Sequence, residues 1–246
     1  MKILKVIHGF PPDYMAGSEV YSYHLVKELI NQNIETFVFT RVENEFDDNH
    51  KIYNEKFENI DIQRVNKPKK DYLYEDKFYD SKLDEIFEKY LIKIQPNIVH
   101  IGHLSHLSTN IIAIIKKHNI PIVYTIHDFW LFCVKGQMIN EKNEICSMPS
   151  TKNCLACSNY VVDEEKINNS STHMKKMIDM IDVFISPSHT LRDFFIEQGV
   201  NASKIKYLKY GFNRKKLFII RKYLPKIQKL TLLLWVVLYP QKELKF

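Results

Sequence analysis

The feature that most constrains the fold of this chain is an alternation of short apolar runs with segments of helical period. The first unit contains a predicted strand at residues 3–7, a helix that starts near Ser18, and a second strand at residues 35–40. Ser18 has the side chain expected of a helix N-cap. A strand, a helix and a second strand within about 40 residues form the building block of a parallel sheet.

The same alternation continues through most of the chain and predicts a doubly wound parallel sheet. Residues 43–80 have the least regular pattern, and we expect much of this segment to be an excursion from the sheet, apart from a strand at 60–65. Repeated βα units favour a Rossmann-like α/β fold with ligand sites beyond the carboxyl ends of the strands. The other predicted helices are 81–94, 109–118, 171–180 and 188–198, and the other predicted strands are 97–101, 120–126, 183–186 and 204–210.

The loop at residues 9–19 joins the first predicted strand to the first predicted helix. Its small residues would let backbone N–H groups approach a phosphate at the positive end of that helix. The loop lacks both the G-x-G-x-x-G pattern of dinucleotide binders and the G-K-[ST] pattern of P-loops, so it favours neither NAD binding nor ATP hydrolysis. An ordinary βα connection explains the loop equally well.

An imidazole is predicted at the carboxyl edge of the sheet, because His127 directly follows the apolar strand at 120–126. His100, His103 and His106 surround the end of the preceding strand and add polar groups to the same crevice. Ligand sites of this fold class lie in that position. A lone histidine is more often structural than catalytic, so the residues alone leave both roles open for His127.

All four cysteines of the chain fall within 25 residues, with the spacing C-x12-C-x7-C-x2-C. They are Cys133, Cys146, Cys154 and Cys157. No secretory signal pattern opens the chain, which disfavours a disulfide framework and makes four thiolates around a structural zinc ion plausible. Free thiols packed in a loop are the alternative. Redox catalysis is disfavoured, because the C-x-x-C pair does not open a helix after a strand.

The basic character of the chain is confined to its tail. Residues 1–200 carry 23 Lys and Arg against 28 Asp and Glu, whereas residues 201–246 carry 12 against one. We expect a cytoplasmic protein whose tail either is a solvated basic end or makes peripheral contact with the inner face of the membrane. The apolar run 230–238 is too short to span a bilayer. No nucleic-acid-binding pattern accompanies the charge, so we expect no nucleic-acid partner.

Four motifs along the chain resemble the glycosyltransferase family 4-like enzymes. They are KVIHGFPP with AGSEVY near the start, YTIHDFW at 124–130, FISPS at 184–188 and KIKYLKYGFN ending at residue 213. The resemblance covers residues 1–213. It implies a GT-B fold, in which two Rossmann-like domains face each other across a cleft, and this chain would be the amino-terminal, acceptor-side domain.

The resemblance also implies roles for individual residues. Ala16 and Gly17 match a family pair, usually Gly-Gly, whose backbone meets the donor diphosphate, and Ala16 departs from that pattern. His127 matches the catalytic histidine beside the transferred sugar. We assign Asp13, His103 and Asp128 to the acceptor side.

The reaction that the resemblance implies moves a sugar, with retention of anomeric configuration, from a nucleotide-sugar donor to a glycan or lipid-linked acceptor. Catalysis of this kind needs no obligatory metal or other cofactor, since positive groups and helix ends stabilise the leaving diphosphate. Any zinc bound by the cysteines would therefore be structural.

The donor-binding half that the family fold requires cannot be placed in this sequence. We divide the chain into an acceptor domain at 1–213, with a cysteine-bearing insert at 131–160, and a basic and apolar tail at 214–246. The tail lacks glycine and an E-x7-E element, and a frameshift near 214–232 is our hypothesis for it. Alternatives are a separately encoded donor-domain polypeptide and a non-catalytic acceptor-binding module. A Rossmann-type oxidoreductase ranks last, because its glycine fingerprint is missing.

Overall fold

A computed structural model describes residues 1–71, 73–140, 142–146, 148–158 and 162–211. Its described part contains an eight-stranded sheet in the order β3-β4-β2-β1-β5-β6-β7-β8. The strands are β1 (Lys2–Ile7), β2 (Glu35–Val42), β3 (Ile52–Phe57), β4 (Ile60–Asn66), β5 (Ile98–His103), β6 (Ile122–Thr125), β7 (Val183–Ser186) and β8 (Ile205–Tyr207). The helices are α1 (Gly17–Asn31), α2 (Ser81–Ile94), α3 (Ile111–Lys117), α4 (Thr151–Cys157), α5 (Glu164–Met180) and α6 (His189–Glu197), with short 3-10 helices at Lys69–Asp71, Glu75–Lys77 and Ala202–Lys204.

Every strand pair of this sheet is parallel except one, which confirms the α/β, Rossmann-like prediction. The exception is the edge strand β3, which runs antiparallel to β4. The expectation that most of residues 43–80 leaves the sheet was therefore wrong for β3. Its residues are largely exposed and carry no apolar run. This strand is defined by its pairing with β4, a contact that local periodicity does not report.

Two apolar clusters occupy the opposite faces of the sheet. Successive side chains of a strand point to opposite faces, so Val6 belongs to the larger cluster and Ile7 to the smaller. The larger cluster joins the strands to α2, α3, α5 and α6, whereas the smaller includes Val26 of α1. Helices on both faces are the arrangement expected of a mainly parallel sheet.

The boundaries of two elements, α2 and β7, agree residue for residue with the prediction. The start of α1 does not, because Ala16 occupies the N-cap position and no side chain caps the helix there. The Ser18 hydroxyl donates instead to Glu19 Oε2 over 2.9 Å. Helix α5 begins seven residues earlier than the pattern suggested, and Asp163 caps it by accepting from the backbone N–H of Lys166.

Residues Met1–Leu208 form one compact unit, and of the second unit, Lys209–Phe246, only residues 209–211 are described. The predictions made for the tail at 214–246 lie outside the described residues, and the domain boundary at 213 stays a prediction. Among the helices that the structure describes, none combines the length and the hydropathy needed to cross a bilayer.

Candidate active site at the carboxyl edge of the sheet

Three neighbouring strands, β1, β5 and β6, deliver their carboxyl ends to one edge of the sheet. His8 follows β1, His103 is the last residue of β5, and His127 and Asp128 come shortly after β6. The amino terminus of α1 lies at the same edge, because the first loop is short and leads directly from β1 into this helix. Residues far apart in sequence thus form one group.

Contacts link His8, Glu19, His103 and Asp128 at these strand ends. We call these four residues, together with His127, the carboxyl-edge cluster. Glu19 Oε1 lies 2.9 Å from His8 Nε2, and the rings of His8 and His103 are 4.5 Å apart. His103 Nε2 lies 3.3 Å from Asp128 Oδ2. The predicted acceptor-side residues His103 and Asp128 are therefore direct partners in this structure.

The hydrogen bonds of His103 define its protonation state. The backbone N–H of Ser105 donates to His103 Nδ1 over 3.0 Å, so the ring proton sits on Nε2 and points to Asp128. Burial lowers the pKa of His103, although Asp128 opposes that shift. The result is a neutral imidazole whose orientation is set from both sides.

Two carboxylates of the cluster stay ionised in spite of burial. Burial alone would raise the pKa of Glu19, but the hydrogen bond and charge of His8, together with the Ser18 hydroxyl, lower that pKa to about 2. Burial likewise opposes ionisation of Asp128, and its contact with His103 lowers the pKa of this carboxyl. Asp128 Oδ1 also accepts from the backbone N–H of Trp130 over 2.9 Å.

His127 packs against the first turns of α1. Its ring centroid lies 5.5 Å from that of Tyr21 in an edge-on arrangement. Burial lowers the pKa of His127 to about 3, and the nearby Lys5 and His103 contribute in the same direction. The imidazole is neutral at physiological pH, so it can donate a hydrogen bond at one ring nitrogen and accept one at the other.

The first loop is held from beneath by a buried arginine. Arg64 of β4 donates to the carbonyl oxygens of Phe10 and Pro11 over 3.0 and 2.6 Å, and its Nη1 lies 3.3 Å from Asp13 Oδ2. Asp13, predicted on the acceptor side, is thus one of two ion-pair partners of Arg64 in the described structure, the other being Glu55. The loop also folds closely on itself, because a Cβ at Gly9 would lie 2.8 Å from the Tyr14 ring.

The predicted diphosphate-binding pair, Ala16 and Gly17, is exposed at the start of α1. A Cβ added to Gly17 would meet nothing within 4 Å, so the space beside this backbone is open. The first backbone N–H groups of a helix have no intrahelical acceptor and carry the positive end of its dipole. An anion can therefore approach the backbone here.

A buried lysine close to the cluster was missed by the sequence reasoning. Lys5 lies in the middle of β1 opposite His100 of β5, and it is 1 % exposed. Within the residues that the structure describes, neither Lys5 Nζ nor Ser22 Oγ makes a hydrogen bond. Burial lowers the pKa of Lys5 to about 7. A lysine inside an apolar strand was the available signal.

The four cysteines lie in the insert at 131–160, and none forms a disulfide. Cys133 and Cys157 are buried, whereas Cys146 and Cys154 are partly exposed. No group of three or more His, Cys, Asp or Glu side chains among the described residues is already arranged to hold a metal ion. A groove of about 300 Å³ between the insert and α6 includes Cys146 and contains none of the carboxyl-edge cluster.

Fold and site together define a Rossmann-like α/β domain of the class that binds ligands beyond the carboxyl ends of its strands. The model of Glycosyltransferase Family 4 matches residues 15–216, which include α1, the YTIHDFW motif and the insert. The chain belongs to this family.

Individual similar proteins have low sequence identity to this chain. The chain is 24% identical over 133 residues to an uncharacterised 42.6 kDa protein in the cps region of Klebsiella pneumoniae, covering 54% of this chain and 32% of that protein. The UDP-N-acetylglucosamine 2-epimerase from Rickettsia bellii superposes with a TM-score of 0.51 at 12% identity, over 93% of this chain and 49% of the epimerase.

A third similar protein is the lipopolysaccharide outer core galactosyltransferase WaaB in its apo form, with a TM-score of 0.47, 14% identity, and coverage of 84% of this chain and 44% of that one. The chain thus spans about a third of the length of the curated relative and about half of the length of the similar solved structures.

Proposed function

We propose that this chain provides the acceptor-side domain of a nucleotide-sugar-dependent glycosyltransferase. The reaction transfers a sugar, with retention of anomeric configuration, from the nucleotide-sugar donor to a glycan or lipid-linked acceptor. Membership of Glycosyltransferase Family 4 supports the reaction class. The placement of His127 and of the α1 amino terminus at one edge of the sheet supports the location of the site.

The observation that carries the proposal is the placement of two imidazoles at that edge, His127 packed edge-on against Tyr21 and His103 oriented by Ser105 and Asp128. Sugar hydroxyls are neutral groups that both donate and accept hydrogen bonds, and an uncharged imidazole matches them at either ring nitrogen. His127 stays neutral because burial and Lys5 lower its pKa to about 3. In this proposal His127 contacts the transferred sugar, while His103 and Asp128 orient the acceptor.

The open start of α1 supplies the second half of the proposed site. Breaking the bond between the anomeric carbon and the donor phosphate leaves negative charge on the diphosphate, and fixed N–H dipoles stabilise such charge most when they are already in place. Ala16 and Gly17 present this backbone without a bulky side chain. Glu19 would repel the diphosphate, but its carboxylate is engaged by His8 and Ser18.

The test is a titration of the purified chain with UDP-glucose and with GDP-mannose, followed by calorimetry and by the amide NMR signals. We expect binding in roughly the millimolar range, equivalent to about −4 kcal/mol, with the largest shifts at Ala16, Gly17 and the ring of His127. Donor turnover is measured in parallel. Any turnover should be lost in His127→Ala.

The matched control is His118→Ala, which removes an imidazole at the opposite edge of the sheet, where it bonds Glu88. It should bind and turn over donor like the wild-type chain. The proposal fails if donors leave the Ala16 and Gly17 signals unchanged. Acceptor glycan binding that is indifferent to any donor, with no donor binding, would instead identify a non-catalytic acceptor-binding half.

A further inference from the structure

Lys77 approaches the carboxyl-edge cluster from the segment between β4 and α2. It is the last residue of the 3-10 helix Glu75–Lys77. Its carbonyl oxygen accepts from the backbone N–H of Thr109 over 3.1 Å, and Thr109 belongs to the loop between β5 and α3. The backbone of Lys77 is therefore fixed beside the loop that follows the strand ending in His103.

The side chain of Lys77 ends on an aromatic ring that touches this cluster. Lys77 Nζ lies 4.4 Å from the centroid of the Trp130 ring, and that centroid lies 4.8 Å from the centroid of the His103 ring. The backbone N–H of Trp130 donates to Asp128 Oδ1 over 2.9 Å, and Asp128 Oδ2 is 3.3 Å from His103 Nε2. A continuous series of contacts thus joins the Lys77 ammonium group, through one aromatic ring, to the pair His103 and Asp128.

The ammonium group of Lys77 keeps its capacity for hydrogen bonds. A lysine ammonium has three N–H donors, and contact with an aromatic face stabilises the charge but supplies no oxygen or nitrogen acceptor. Lys77 Nζ forms neither a hydrogen bond nor an ion pair with another residue that the structure describes. Lys67 shows the more usual arrangement, since its Nζ bonds Asp76 and Asp80. Lys77 can therefore receive an anionic ligand without losing an existing bond.

The position of Lys77 also favours strong interaction with an anion. The residue is half-buried. Burial lowers the pKa of Lys77 to about 8, while Cys133, Asp128 and Cys154 oppose that shift, so the ammonium form predominates at neutral pH. Partial exclusion of water lowers the local dielectric constant and strengthens the attraction between this charge and an opposite one.

We propose that Lys77 binds an anionic group of the sugar acceptor, a carboxylate or a phosphate, and so selects negatively charged acceptors over neutral ones. The inference rests on the proposed function in one respect, because it takes the ligand beside His103 and Asp128 to be the acceptor. The Asp128 carboxylate by itself disfavours a negatively charged ligand, and the Lys77 ammonium group offsets this repulsion. The donor diphosphate has a separate place in the proposed site, at Ala16 and Gly17.

The experiment measures the binding of small sugars to the whole chain by NMR, with the Trp130 indole N–H signal as the reporter. The chain has two tryptophans, so the signal is assigned with Trp130→Phe. The ligands are methyl β-glucuronide with a carboxylate, glucose 6-phosphate with a phosphate, and the neutral methyl β-glucoside. We expect an anionic sugar to bind roughly 10-fold more tightly than the glucoside, as one charge-assisted hydrogen bond predicts. The tighter of the two anionic sugars identifies the anionic group.

Lys77→Met should remove this preference, so that anionic and neutral sugars bind alike, whereas Lys77→Arg keeps the positive charge and should retain most of the preference. The control Lys82→Met removes an exposed lysine that pairs with Glu85, and its preference should equal that of the wild-type chain. Circular dichroism verifies that each variant is folded. A preference that survives Lys77→Met overturns the proposal, and so does a wild-type chain that prefers neither anionic sugar.

This outcome is separable from the outcome for the proposed function. Donor binding is measured at the amide signals of Ala16 and Gly17, whereas acceptor binding is measured at Trp130. A charge preference at Trp130 without donor binding supports the Lys77 site and contradicts the donor site. Donor binding at Ala16 and Gly17 without a charge preference supports the proposed function and contradicts the role of Lys77.

Discussion

Two lysines of the same sheet are equally buried but lie in opposite environments. Lys67, just beyond β4, and Lys5, in β1, are each 1 % exposed. Lys67 Nζ bonds Asp76 over 3.2 Å and also bonds Asp80, which in turn holds His50. In the part of the chain that the structure describes, Lys5 Nζ has no such partner and lies beside the equally unbonded Ser22 hydroxyl.

Lys67 thus belongs to a structural ion cluster, whereas Lys5 lies in a polar pocket near the candidate active site. Burying a charge is tolerated when hydrogen bonds and opposite charge replace water, and it is unfavourable when they do not. Around Lys67 the bonds from His50 and Lys67 outweigh burial and lower the pKa of Asp80. Around Lys5 nothing offsets the effect of burial, and the pKa of Lys5 falls to about 7. Underbonded polar groups concentrate at functional sites, and this pocket adjoins His127.

The largest effect is expected from breaking the satisfied cluster. Lys67→Met leaves the buried Asp80 carboxylate without its closest cation and should lower the free energy of unfolding by about 3–5 kcal/mol. Chemical denaturation followed by circular dichroism measures this loss. The control Lys82→Met removes the exposed pair with Glu85 and should change stability by less than about 1 kcal/mol. Equal losses in both variants would contradict the contrast.

The opposite change, an increase in the free energy of unfolding, is expected for Lys5→Met. The pKa of Lys5 falls from 10.5 to about 7 on folding, so between these values the unfolded chain binds more protons than the folded one. The free energy of unfolding of the wild-type chain therefore decreases as the pH falls from 10.5 towards 7, because the unfolded chain takes up the proton on Lys5 more readily. Methionine cannot take up this proton, so the decrease does not occur in the variant. We expect its free energy of unfolding at neutral pH to be higher than that of the wild-type chain by on the order of 3 kcal/mol.

This gain should shrink as the pH rises from 7 towards 10.5, and denaturation curves at several pH values will show it. In the same variant the pKa of His127 should rise, since Lys5 contributes to lowering it. NMR titration of the His127 ring measures that change. A destabilised Lys5→Met variant, with an unchanged His127 titration, would place Lys5 in a satisfied network and remove the contrast with Lys67.

The smallest effect is expected for two buried serines. Ser22 and Ser108 are both fully buried, but only the Ser108 hydroxyl has a bond in the described structure, to the Phe78 carbonyl over 3.3 Å. Ser108→Ala should cost about 1 kcal/mol, whereas Ser22→Ala should be neutral or slightly stabilising. Thermal unfolding of the two variants decides between this outcome and a uniform cost for both.

Local patterns were sufficient for elements that bury a regular face. Helix α2 shows an amphipathic period and a capping aspartate, Asp80, and both of its ends were predicted correctly. Strand β7 is a short apolar run whose limits were also correct. The pattern was insufficient for β3, whose exposed residues carry no apolar signal. It was also insufficient at α1, where the backbone of Ala16, and no side chain, forms the N-cap.

The candidate site was predicted only in part. His127 could be placed at a strand end from sequence, and the parallel sheet then implies that it meets the ends of the neighbouring strands. The pairing of His103 with Asp128, of His8 with Glu19, and of Asp13 with Arg64 could not be inferred, since each joins different elements. The roles of these residues in transfer stay predictions.

The sequence by itself determined the class of sheet, the order of its βα units and the family, because hydrophobic period and short motifs are properties of neighbouring residues. Tertiary structure alone decided which charges are satisfied. Lys5 and Lys67 are the same residue type in similarly buried positions, and only the groups that the fold brings to each of them make one a paired cation and the other a lysine that readily loses its proton. Protonation depends on burial and on distant partners, which no local pattern contains.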